Sequence, residues 1–158
     1  MSKLNIDQKT IRLLLTDKHS DFLIPDYQRP YAWGEDECAM LWDDLFSFAF
    51  PNDNCDAFDS SADEYFLGPI VTFKNSAGQL EIIDGQQRLT TIMLLLRAFY
   101  DKFANMKDKQ PVKVRESIAG CVWKTDEFDE PDMGALKIDS EVASDADKGE
   151  FLEILRHG

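Results

Sequence analysis

Leu80-Glu81-Ile82-Ile83-Asp84-Gly85-Gln86-Gln87-Arg88-Leu89-Thr90-Thr91-Ile92-Met93 is the stretch that decides the fold. Its first four residues pair in sequence logic with Tyr65 to Phe73. Both runs are rich in β-branched and aromatic residues, and Lys74-Asn75-Ser76-Ala77-Gly78 between them reads as the turn of a hairpin. After Arg88, the residues Leu89, Ile92, Met93, Leu96, Phe99, Tyr100 and Phe103 fall on one stripe of an amphipathic helix, the strongest helix in the chain. The pattern therefore predicts a strand that feeds through five residues straight into a helix.

That geometry aims unpaired backbone N–H groups at whatever lies above the turn. A helix start carries roughly half a positive charge, Gly85 permits close approach, and Arg88 adds a bidentate donor, so phosphate is a natural occupant. Asp84 followed three residues later by Gln87 is also the spacing of a capping box, which would account for two of the five residues without any ligand. It leaves Gln86 unexplained, and also an arginine in the first turn, where its charge opposes the helix dipole unless an anion compensates.

Upstream, Ile24-Pro25-Asp26-Tyr27-Gln28-Arg29-Pro30-Tyr31-Ala32-Trp33 packs three aromatics, an arginine and a glutamine into a proline-stiffened loop. Arg29 suits a second phosphate or a carboxylate, and Tyr27, Tyr31 or Trp33 suits stacking on a base, a contact worth about 1–3 kcal/mol. The competing reading has the rings stapling the loop to the core.

Around these segments, apolar spacing predicts a short helix over residues 5–17, with Asn5 or Asp7 as its cap, and an extended Phe22-Leu23-Ile24. A second helix is expected from Glu35 to about Ala49, with an exposed loop over residues 51–63. Beyond Asn105 the signals weaken to a helix from Val112 to Ala119, a strand at Ala135 to Ile138 and a helix from about Ala146 to Leu155.

The chain has 158 residues, 44% hydrophobic and 30% charged, enough for one ordinary globular core. Seventeen basic against thirty acidic residues give a net charge of -13, which disfavours tight nonspecific binding of bare DNA. Three cysteines, Cys38, Cys55 and Cys121, have neither disulfide nor zinc-ligand spacing, which fits a reducing cytoplasm. The longest apolar run, Ile92 to Leu96, is far short of the roughly 20 residues that span a bilayer, so no membrane association is expected. No P-loop, G-x-G-x-x-G or H-E-x-x-H pattern is present.

Three ordered motifs carry a resemblance. Ile24-Pro25-x-Tyr27-Gln28-Arg29-x-Tyr31-x-Trp33, Tyr65-Phe66-Leu67-Gly68 and Asp84-Gly85-Gln86-Gln87-Arg88-Leu89-Thr90-Thr91 resemble the N-terminal domain of bacterial GmrSD-type, modification-dependent restriction proteins. The similarity spans roughly residues 5–105, with a weaker echo from Ala135 to Gly158. It implies an α/β (α+β) fold of the ParB/sulfiredoxin-like type: a small mixed sheet with a strand–DGQQR turn–helix core and flanking helices. The expected division is a ParB/sulfiredoxin-like domain over residues 1–110, with residues 111–158 beginning a following, truncated helical region.

The resemblance also implies roles. Family members are associated with nucleoside triphosphate hydrolysis coupled to cleavage of modified phage DNA by an HNH-type nuclease half, which is absent from this sequence. On that analogy Gly85, Arg88 and Arg29 bind phosphates, with Gln28, Tyr27 and Tyr31 completing the nucleotide site. Asp84, Gln86, Gln87 and Arg88 form the catalytic group: the glutamines position phosphate or water, and Asp84 holds Mg²⁺ or orients the attacking water. Sulfiredoxin uses a cysteine in this turn, so glutamine here argues against sulfinic acid repair. The alternative is a non-catalytic sensor or docking module that binds modified DNA or a partner protein through its aromatic loop.

Overall fold

A computed structural model of the chain describes residues 5–59, 61–142 and 145–158. In order, α1 (Ile11–Thr16), β1 (Phe22–Ile24), α2 (Glu35–Ala49), β2 (Val71–Lys74), β3 (Leu80–Asp84) and α3 (Gln86–Lys102) form the first two thirds. Then come α4 (Lys109–Val122), β4 (Trp123–Thr125), β5 (Pro131–Leu136), β6 (Ile138–Ser140) and α5 (Asp145–His157). The fold is α+β. A mixed four-stranded sheet runs in the order β2-β3-β1-β6, and β4 and β5 make a separate antiparallel pair.

β1 lies in the middle, parallel to both neighbours: Phe22 is opposite Leu80 of β3 and opposite Ile138 of β6. Strands flanked on both sides read as continuous apolar runs, and Phe22, Leu23 and Ile24 are all buried. β2 closes the hairpin onto β3 through Asn75, whose side-chain oxygen accepts from the amides of Ala77 and Gln79 at 3.0 and 2.9 Å. The paired part of β2 starts only at Val71, later than the aromatic run predicts. Gly68 at φ 98° and Pro69, which lacks an N–H, cannot extend the ladder.

α1 is shorter than residues 5–17, because Thr10 is its cap: the Thr10 hydroxyl accepts from the Leu13 amide at 3.2 Å. Three acidic residues, Glu35, Asp36 and Glu37, stabilise the start of α2 against the helix dipole. The strand predicted from Ala135 to Ile138 is broken in two at Lys137. Its amide bonds to Val122 at 3.0 Å while its carbonyl accepts from Phe22 at 2.8 Å, so the chain changes sheets at this residue. The Lys137 side chain is buried and donates to the Asp17 carbonyl at 2.8 Å, and desolvation pushes its pKa down.

One core joins both parts of the chain. Leu15, Phe22, Ile82, Leu89 and Met93 pack with Ile118, Trp123, Ile138 and Leu155. The division expected at residue 110 runs through this shared core. β6 adds a strand beside β1, and α4 and α5 pack on α3. Arg97 locks that junction. Only 5% exposed, it donates to the Leu155 carbonyl at 3.1 Å, pairs with Asp101, and lies 5.3 Å from the Trp123 ring centre.

Candidate functional site

Gly85 makes the strand-to-helix turn possible. It is the residue before α3, with φ 90°, and a Cβ there would stand 2.9 Å from the Pro69 carbonyl oxygen. Only glycine takes that conformation without strain. The capping box that Asp84 and Gln87 could have formed is not made. Asp84 instead ends β3 opposite Val71, with its carboxylate exposed, and no side chain caps α3.

Among the described residues, the amides of Gln86, Gln87 and Arg88 therefore find no acceptor. The first bond into α3 is from the Leu89 amide to the Gly85 carbonyl, at 3.0 Å.

The two glutamine side chains turn inward. Gln87 clamps the aromatic loop, accepting from the Ala32 amide at 2.7 Å and donating to the Pro30 carbonyl at 3.0 Å. Gln86 donates to the Arg29 carbonyl at 2.6 Å, and its Oε1 is buried without a partner among the described residues. Gln28 donates to the carbonyls of Ile83 and Ile82 at 3.0 and 3.3 Å, tying the same loop to β3. Tyr31 reaches the second turn of α3, its hydroxyl 2.8 Å from that of Thr91 and 3.5 Å from the Cys38 sulfur. Burial, reinforced by Cys38, pushes the Tyr31 pKa up to about 12, so the phenol stays protonated.

Arg88 holds the third segment, donating to the Pro69 carbonyl at 3.1 Å. A Cβ at Gly68 would stand 2.9 Å from its guanidinium, so Gly68 leaves the space that Arg88 fills. The sequence motifs at residues 24–33 and 84–91 are thus joined by these bonds, and the motif at 65–68 meets them where Arg88 lies against Gly68 and bonds to the next residue, Pro69. Sequence reasoning did not single out Thr91 or Pro69 as partners. The Gly68-Pro69 pair carried the only available signal, as a break in the strand pattern.

Other expected residues sit on the outside. Arg29 is exposed, and neither it nor Arg88 pairs with a carboxylate among the described residues. Tyr27 is 63% exposed, with its ring available for stacking. Inside, Arg29, Pro30, Tyr31, Gln86, Gln87 and Thr90 border a cavity of about 30 Å³, room for about two waters. A triphosphate would have to lie over the turn and not within it.

A family model described as the GmrSD restriction endonuclease, N-terminal domain, matches residues 11–155. The chain belongs to this family of restriction-system domains. The match continues well past residue 110 and includes the segment that supplies β6, as the shared core does. No curated protein matches the chain. Among the described residues of this GmrSD N-terminal domain, no group of three or more His, Cys, Asp or Glu could hold a metal ion, and no helix is long and apolar enough to cross a membrane.

Proposed function

We propose that the start of α3 binds the phosphates of a nucleoside triphosphate, and that this binding licenses an HNH-type nuclease partner to cut modified phage DNA. The observation that carries the reading is the set of three consecutive amides, Gln86 to Arg88, without acceptors among the described residues. They lie in a turn that carries Arg88 and holds the Arg29 backbone, both arginines lacking a carboxylate partner among those residues. Helix-start amides and arginines are the donors that phosphate oxygens select. Arg29 and Arg88 bind phosphate, Gly85 lets it approach, and Tyr27 stacks on the base.

Gln28 and Gln87 keep the loop in place, and so fix where Arg29 stands. Gln86 holds a water in the small cavity through its free Oε1. Mg²⁺ commonly binds through one or two carboxylates plus substrate phosphates, so a lone Asp84 carboxylate at the edge of the site fits such an ion. The ion would supply neutralisation of phosphate charge.

Titration calorimetry with each triphosphate and Mg²⁺, together with assay of phosphate release, tests the proposal. Arg29→Ala should weaken binding at least tenfold, the loss of one charge-assisted contact. Because Arg29 is exposed, this variant should fold as the parent does. Unchanged heat for both Arg29→Ala and Arg88→Ala would show that the phosphates bind elsewhere. Removing Mg²⁺ with EDTA, or changing Asp84→Asn, should abolish any hydrolysis.

The inward turn of Gln86 and Gln87, with only 30 Å³ beneath, favours a second reading: a docking module whose polar network shapes the Tyr27 loop for modified DNA or a protein. Under that reading Tyr27→Ala abolishes capture of modified DNA in a pull-down while Arg29→Ala leaves triphosphate heats at zero, as in the parent.

A further inference from the structure

α2 is a 15-residue helix with one fully buried apolar residue, Leu41. Trp42 and Phe46 of this helix, with Phe50 just past its end, form a row on the surface, while Leu45 and Phe48 are half-buried. The rings of Phe50, Phe46 and Trp42 follow at i, i+4 spacing with centroids 4.8 and 6.0 Å apart. Trp42 then meets Phe99 of α3 at 6.2 Å, and Phe99 stacks on Phe103 at 5.9 Å. Trp42, Phe46 and Phe50 are 44%, 42% and 37% exposed. A monomeric surface rarely leaves such a contiguous apolar patch without a use.

Charge along the border selects the occupant. On the open side of the row, helical spacing places Asp36 and Asp43, both exposed and without an ion pair or hydrogen bond among the described residues. At the far end, Phe103 also walls a cleft of about 590 Å³ bordered by Tyr100, Phe128, Glu116 and Glu130. There the Arg115 guanidinium already lies 3.9 Å from the Tyr100 ring centre, a pairing an incoming cation can repeat on Phe128, which is 76% exposed. Each ring-to-ring step is close to the pitch of an α-helix, about 5.4 Å, so a helix with one apolar side chain per turn matches the row ring for ring. DNA and anionic lipid are repelled by the same carboxylates and by the net charge of -13.

We infer that the α2–α3 aromatic row is the docking surface for a basic amphipathic helix of a protein partner. Apolar residues of that helix cover Phe50 through Phe103, and its lysines or arginines face Asp36, Asp43 and the acidic cleft. The inference uses none of the phosphate-site residues and stands independently of the nucleotide reading.

The probe is a synthetic Lys/Leu helix of about five turns, about 18 residues, with leucines at i, i+3, i+4 spacing. Titrated into the full chain, it should shift Trp42 fluorescence to the blue and saturate. Phe46→Ser should weaken the peptide roughly tenfold or more, the loss expected at a central aromatic anchor. Asp36→Asn with Asp43→Asn should weaken it severalfold and flatten its salt dependence, while Phe66→Ser, outside the row, should change nothing. A Lys/Ser peptide of equal charge, a Glu/Leu peptide and phosphatidylglycerol vesicles should all fail to bind. Equal binding of the Lys/Ser peptide, indifference to Phe46→Ser, or vesicle binding would overturn the inference, as would a dimer in sedimentation that Phe46→Ser dissociates.

Discussion

The two ends of α3 reverse the usual placement of side chains. At its start, polar Gln86, Gln87, Thr90 and Thr91 are buried and four of the bonds that hold the loop end on them; towards its finish, Phe99 and Phe103 join an aromatic row that continues onto exposed rings of α2. Burying an amide side chain costs least when it is bonded, so these bonds fix the start of the helix and leave only one oxygen of the two glutamines, Gln86 Oε1, without a partner among the described residues. Exposing rings costs the folded chain little, so the far face is free to serve a partner. Rigidity and availability are thus separated along one helix.

The largest expected effect comes from breaking the rigid end. Gly85→Ala puts a Cβ against the Pro69 carbonyl at a φ of 90° and should cost about 2–4 kcal/mol in urea denaturation. A loss below half of that would mean the 65–70 segment yields and the hub is soft. Gln87→Ala removes the clamp on Pro30 and Ala32 and should cost about 1–3 kcal/mol, with proteolysis appearing first in the Tyr27 loop.

At the other end, Phe46→Ser deletes a ring that is 42% exposed and packs against the neighbouring rings of Trp42 and Phe50, and should cost about 1 kcal/mol, less than Gln87→Ala measured in parallel. A cost as large as that of Gln87→Ala would erase the contrast between the two ends. The smallest effect concerns pH. Tyr31 titrates from its ordinary 10.0 in the unfolded chain to about 12 in the folded one, so between those values the folded state holds a proton that the unfolded state has lost. Stability from this group is complete below pH 10 and falls as pH rises towards 12. Tyr31→Phe should flatten the alkaline decline of the melting temperature, and an identical slope would remove Tyr31 from the linkage.

Much of the fold was readable from local pattern. The apolar run Phe22-Leu23-Ile24, the Asn75 turn, the helix from Glu35 to Ala49 and the α3 stripe each express a short-range rule, and each is found where the pattern put it. Lys137 was not readable. Nothing local distinguishes a residue that hands the chain from one sheet to another, because its two backbone bonds go to Val122 and Phe22, remote in sequence.

The motif residues divide in the same way. Sequence alone determined that a strand enters a helix through a glycine turn carrying Arg88, and that an aromatic, arginine-bearing loop precedes it, because spacing and residue type fix these through the backbone itself. Only the tertiary structure decided that Gln87 clamps the loop instead of capping its own helix, that Arg88 fills the space over Gly68, and that the rings of α2 continue the row of α3. A glutamine has equal chemical claim on a near or a distant backbone group, and which one it takes depends on what folding brings within 3 Å.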